Sequence, residues 1–153
     1  MDCTDRDGMK FVCKSRSFAQ TCTSRACYRF IPTTESQWLA QSECEDLGGS
    51  LASIRSEEES KAVKAYLDQF SKSAVWTAGS DKDTEDDWYW QSDDEKVKIP
   101  DDLTDWGDSQ PNNEGYGEDC MVMAPPEWKW NDVDCYEDHA YLCEVPNVNA
   151  ITG

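Results

Sequence analysis

The stretch "WLAQSECEDLGGSLASI", Trp38 to Ile54, carries the reading that decides the fold. Ala40, Cys44 and Leu47 recur at helical spacing and share one face. Thr34 and Gln37 stand at capping-box spacing, so a helix is predicted over residues 34–47. Gly48-Gly49 ends it, because glycine takes up the left-handed cap that other residues avoid. "SLASI" is apolar-alternating and reads as a short strand. Ser56 and Glu59 then form a second capping box, and Val63, Tyr66, Leu67 and Phe70 make the apolar face of a second helix.

Beyond Ser73 the pattern changes. "AVWTAG", "DWYWQ", "CMVM" and "AYLCEV" are short runs rich in β-branched, apolar and aromatic residues, and they read as strands. Residues 93–117 are polar and broken by Pro100, Pro111 and several Gly, Asn and Asp, which predicts a long loop region. Two helices followed by an antiparallel sheet give an α+β fold. The chain has no internal repeat or low-complexity tract.

Composition narrows the function. The chain has 153 residues and a net charge of −18, from 14 basic and 32 acidic side chains. Such a surface repels nucleic acid and anionic membranes and attracts divalent cations. No apolar run approaches membrane-spanning length. Eight cysteines with no CxxC pair, beside a single histidine, His139, speak against a zinc site and for disulfides in an oxidising, extracellular compartment. Met1-Asp2-Cys3 has neither the basic start nor the apolar run of a signal peptide, so Met1 is expected to be a start codon added to a mature sequence. Residues 1–27 hold Cys3, Cys13, Cys22 and Cys27 with few large apolar residues. That head is expected to be disulfide-stapled, with its pairing open.

Two segments concentrate oxygen donors: "DSQPNNEGYGEDC", Asp108 to Cys120, and "WKWNDVDC", Trp128 to Cys135. Both mix carboxylates with side-chain amides, and each closes on a cysteine. No nucleophile elbow, H-E-x-x-H or phosphate loop accompanies them, so catalysis is not the expected role.

In order and spacing, "CYRF", "WLAQSECEDLGGSLASI", "VWTAG", "QPN", "GEDC", "WND" and "YLCE" resemble the C-type lectin-like domain from about Cys27 to Glu144. The resemblance implies a cysteine-rich extension at 1–26, the domain at 27–146 and a tail at 147–153. It implies the disulfides Cys44–Cys143 and Cys120–Cys135, and a cis bond at Gln110-Pro111. Cys27 resembles the extra cysteine of long-form members, whose partner lies upstream in a hairpin.

The resemblance also implies calcium, which takes roughly six to eight oxygen ligands. Gln110, Asn112, Glu118, Asn131 and Asp132 match the primary, sugar-binding ion site. Asp81, Glu85, Asn113 and Asp119 match an auxiliary site, with Glu118 shared. Sugar contacts would fall on Gln110, Asn112, Glu118 and Asn131, with Tyr116 and Trp128 as stacking platforms. In the family, Glu-Pro-Asn accompanies mannose-type and Gln-Pro-Asp galactose-type ligands, so Gln110-Pro111-Asn112 implies broad or intermediate specificity. The expected partner is glycan, with homo-oligomers as a route to avidity. The family also contains ice-, mineral- and protein-binding members, which is the alternative expectation.

Overall fold

The computed structural model describes residues 20–92, 95–111 and 118–147. Its elements are β1 (Thr21–Cys22), β2 (Ala26–Glu35), α1 (Gln37–Asp46), β3 (Ser50–Leu51), α2 (Glu57–Phe70), β4 (Val75–Ser80), β5 (Tyr89–Gln91), β6 (Lys96–Lys98), β7 (Cys120–Ala124), β8 (Lys129–Val133) and β9 (His139–Pro146). The α+β class holds, with a mixed rather than purely antiparallel sheet. Strands run in the order β1-β2-β9-β4-β5-β6, β3 lies on β9, and β7 bridges β4 and β8. The β4–β9 pairing is parallel, through Val75↔Ala140 and Trp76↔Tyr141. No described helix is long and apolar enough to cross a membrane.

The long β2–β9 ladder, from Ala26↔Pro146 to Glu35↔His139, ties the two ends of the domain together. That ladder corrects the expected start of the first helix. Thr33 and Thr34 are β-branched and remain in β2, so the helix begins at Gln37 behind Ser36. Gln37 does not cap; its amide donates to the Thr77 and Gly79 carbonyls at 3.0 and 3.1 Å and pins α1 to β4. Leu47 lies beyond the helix end and is half exposed. Gly48, at φ +92°, turns the chain as expected. Gly49 meets β9 so closely that a Cβ there would sit 1.9 Å from the Glu144 carbonyl oxygen. The second helix begins as predicted, with the Glu59 N–H donating to Ser56 Oγ at 3.2 Å.

Residues 93–117 are not all loop. β6 pairs with β5 through Tyr89↔Lys98, and a single 3-10 turn covers Asp101–Leu103. Two lysines hide the strand's alternation, and the Lys96 ammonium sits 4.3 Å from the Tyr89 ring centre.

Cys44 is joined to Cys143, Cys120 to Cys135, and Cys22 to Cys27 across the β1–β2 hairpin. Cys3 and Cys13 lie outside the described residues. Arg25, at the tip of that hairpin, enters a network the sequence did not suggest. Its guanidinium reaches Glu59 at 2.6 Å and Glu144 at 3.0 Å, and donates to Tyr28 Oη at 2.9 Å. Burial alone would raise the Glu59 pKa; the Arg25 guanidinium and the Arg55 N–H outweigh it and hold the carboxyl below its ordinary value.

Under the loop region, tryptophans form a chain of edge-to-face contacts. Trp88 meets Trp106 at 4.9 Å, Trp106 meets Trp130 at 5.7 Å, and Trp130 meets Trp90 at 5.3 Å. Each such pair contributes about 0.5–1.5 kcal/mol beyond its buried area. Trp106 and Trp130 are also joined by an isolated β-bridge, which sets residues 106–110 beside β8.

Candidate functional site

Alternation along β8 positions the first donors. Trp130 and Asp132 face inward and are buried, while Asn131 lies on the opposite face at half burial. Asp132 is only 3% exposed. A strap running from Trp106 to Gln110 lies along this strand: Gly107 N–H donates to the Trp130 carbonyl at 2.9 Å, and Gln110 N–H to the Gly107 carbonyl at 3.0 Å. Gln110 Oε1 then accepts from the Asp132 main-chain N–H at 3.3 Å. A Cβ on Gly107 would stand 2.9 Å from Asn131 Oδ1, so glycine lets the strap approach that amide. The Gln110-Pro111 bond is cis.

A second set forms where β4 ends. Every residue of Val75–Ser80 is buried, and Asp81 follows directly at 2% exposure. β4 pairs with β7 through Ser80↔Cys120, and the Asp81 N–H donates to the Asp119 carbonyl at 3.1 Å. Asp86, with φ 67°, folds the acidic turn back so that its N–H donates to Asp81 Oδ2 at 2.8 Å. One oxygen from each of Asp81, Glu85 and Asp119 lies within 4.8 Å of the others. Among the described residues, nothing donates a hydrogen bond to the buried Asp81 Oδ1.

Electrostatics follow from that crowding. Burial, then contact with Asp119 and the charges of Glu85 and Asp119, push the Asp81 carboxyl up to about 7. Glu85 is raised by desolvation and by Asp86 and Asp119, with a contribution from Asp132 that links the two donor sets. Asp81 therefore holds a proton in the folded, metal-free protein that the unfolded chain has lost above its ordinary value of 3.8. Stability of the chelated protein should fall as pH rises through that window, by at most about 1.4 kcal/mol per pH unit. Thermal melts in chelator from about pH 5 to about pH 7 should show a lower melting temperature at the higher pH, by a few degrees. Asp81→Asn should flatten the slope; an unchanged slope would assign it elsewhere.

Of the sequence-predicted site residues, the fold brings Gln110 to Asp132, and Asp81 to Glu85 and Asp119. Asn131 stands beside Gly107, and Glu118, half-buried, leads into β7 next to Asp119. Asn112, Asn113 and Tyr116 lie outside the described residues. Trp128 is not a stacking platform. It is 2% exposed, and its indole N–H points to Asp68 Oδ1 at 3.4 Å, so it is core. Among the described residues the exposed aromatics are Trp38, at 74%, Tyr136, at 89%, and Phe70, at 44%, which was expected on the apolar face of the second helix. Trp38 could have been found, because it falls off the Ala40–Cys44 face.

A family model described as the lectin C-type domain matches residues 33–145. The hepatic lectin of Gallus gallus is 28% identical over 143 residues, which cover 94% of this chain and 66% of that protein's length. The human scavenger receptor C-type lectin carbohydrate-recognition domain superposes with a TM-score of 0.74 at 26% identity, over 84% of this chain and 97% of that one. Herring type II antifreeze protein superposes with a TM-score of 0.70 at 29% identity, over 84% and 96%.

Proposed function

Because the chain belongs to the C-type lectin domain family, we propose that it is an extracellular, calcium-dependent carbohydrate-binding protein. The observation that carries the reading is the convergence of hard oxygen donors in the two linked sets. Three carboxylates share one small space, and one of their buried oxygens accepts no hydrogen bond among the described residues. That donor chemistry fits calcium and poorly fits softer metals. The hepatic lectin and the scavenger receptor domain are both named for sugar recognition or lectin character, which supports glycan as the ligand.

Gln110, Asn112, Glu118, Asn131 and Asp132 would hold the primary ion; Asp81, Glu85, Asn113 and Asp119 the auxiliary one, with Glu118 shared. A bound calcium ion supplies a hard centre that accepts sugar hydroxyl oxygens. The side chains sort the sugar. Glu118 and Asp132 accept hydrogen bonds from hydroxyls, whereas the amides of Gln110, Asn112 and Asn131 also donate. Amides on both sides of Pro111 give no donor–acceptor polarity across the motif, so specificity is broad or intermediate between mannose and galactose types. The Cys120–Cys135 bridge joins the ends of the two donor segments, Cys44–Cys143 ties α1 to β9, and both suit an oxidising compartment. Assembly into homo-oligomers would raise avidity for arrayed glycans.

Gln110→Glu adds a third carboxylate to the primary set. Calcium affinity should tighten several-fold from the roughly 10⁻⁴–10⁻³ M range of extracellular modules, and competition should shift toward mannose-type sugars. A calcium titration with sugar competition checks both, and no movement in either would sink the reading.

The likeness to herring antifreeze protein and the charge of −18 favour one second reading, a non-sugar ligand such as ice or mineral. Simple sugars displace the ligand of a lectin and leave that of an ice or mineral binder in place.

A further inference from the structure

β4 is buried along its whole length, so a hydroxyl in the middle of it costs stability unless it is hydrogen-bonded. Thr77 is such a residue, and it is fully enclosed. Its surroundings give the reason. β4 meets β7 in one register at Val75↔Met123 and Trp76↔Val122, and in another at Ser80↔Cys120. Thr77, Ala78 and Gly79 therefore stand against the single residue Met121, and β4 carries a bulge of two extra residues.

The bulge decides which residues meet beyond it. Continued unbroken, the first register would set Gly79 opposite Asp119 and carry Asp81 two places past it. With the bulge, Asp81 comes opposite Asp119, and its N–H donates to the Asp119 carbonyl at 3.1 Å. The cluster of Asp81, Glu85 and Asp119 depends on that juxtaposition.

Two side chains hold the bulge. Thr77 Oγ1 donates to the Met121 carbonyl at 3.2 Å and accepts the Gly79 N–H at 3.1 Å, which closes the bulge on itself. Gln37, at the start of α1, donates from its amide nitrogen to the Thr77 carbonyl at 3.0 Å and the Gly79 carbonyl at 3.1 Å. The Ala78 N–H turns away from β7 to the Ala52 carbonyl at 2.8 Å. Glycine is needed at position 79, since a Cβ there would stand 2.8 Å from Met121 Cβ.

We propose that Thr77 and Gln37 are positioning residues for the auxiliary ion: their hydrogen bonds hold the β4 bulge, and the bulge brings Asp81 to Asp119. Neither belongs to the proposed ligand set. The ion rests on the calcium reading above, whereas the placement of Asp81 does not.

The test compares Thr77→Val, which keeps the shape and loses the hydroxyl, with Thr77→Ser, which keeps the hydroxyl. Amide hydrogen exchange is read residue by residue in chelator. The Asp81 N–H, held by Asp119, and the Asp86 N–H, held by Asp81, report the placement directly. In Thr77→Val both should speed up roughly tenfold more than the β2–β9 ladder does. A general loss of stability would speed both regions alike. Calorimetric calcium titration should show one ion weakened roughly tenfold to a hundredfold and the other nearly unchanged. Thr77→Ser should behave as wild type in both measurements. Gln37→Met, at a helix end outside the core, should repeat the Thr77→Val pattern and decides the matter if that variant does not fold. Exchange at Asp81 and Asp86 that rises no more than in the ladder would overturn the proposal, as would Thr77→Ser failing in the same way as Thr77→Val. A wild-type protein that binds no calcium would sink the calcium reading and the auxiliary role with it, while the exchange result would still decide whether the bulge places Asp81.

Discussion

Asp132→Asn is expected to abolish calcium-dependent glycan binding while leaving the fold intact. Alternation turns Asp132 inward on β8, and its main-chain N–H, which the substitution leaves in place, holds the Gln110 side chain, so the change removes one proposed ligand without displacing its neighbour. Glu118 and Asp132 are the only carboxylates in the proposed primary set. Losing one should weaken calcium by about tenfold to a hundredfold, enough to empty a site already in the millimolar range. The amide has nearly the same shape and still accepts hydrogen bonds, so stability in chelator should change little. Calorimetric calcium titration together with thermal melts in chelator reads both parts. Wild-type calcium affinity in the variant would remove Asp132 from the site.

The second large effect is predicted far from the site. Arg25→Met should destabilise the domain by about 2–4 kcal/mol near neutral pH, because it strands the carboxylates of Glu59 and Glu144 in a largely buried setting. The lower end of that range allows for the partial exposure of Arg25. The sign with pH follows from the depressed Glu59 pKa. Its contribution is present above the ordinary carboxyl value and is lost as pH falls through the folded one. In the variant Glu59 protonates more readily, so the gap between variant and wild type should narrow from pH 7 to about pH 4. Denaturant unfolding at the two pH values measures this, and an equal gap at both would contradict the ion-pair account. Glu59→Gln, which removes one stranded charge, should restore part of the loss in the double variant.

What the chain revealed in advance, and what it hid, has a physical pattern. The second helix was legible because its cap and apolar face are both local signals; the cap is realised, and Val63, Tyr66 and Leu67 are buried while Phe70, in the last turn, is exposed. The first helix was placed too early because Thr34-x-x-Gln37 mimics a cap, while the competing force is a strand partner at His139, more than a hundred residues away. β6 was missed because lysines occupy its outer face. The donors at Gln110, Asp81, Asp119 and Asp132 were legible as residue types. Their convergence was not, because it depends on β4 pairing with β7 and on the strap along β8. Trp128 was misassigned because proximity in sequence to Asn131 says nothing of depth, and a residue at φ 61° turned into the core is invisible to periodicity. Arg25 was invisible for the same reason as the convergence: its partners are set by tertiary contact alone.

The central claim is tested most directly by glycan-array binding in millimolar calcium, repeated in excess chelator, with monosaccharide competition in each. A set of hexose-bearing glycans should be bound in calcium, released by chelator and displaced by simple sugars. An array profile identical in calcium and chelator, or no calcium-dependent binding by the folded protein, would contradict it.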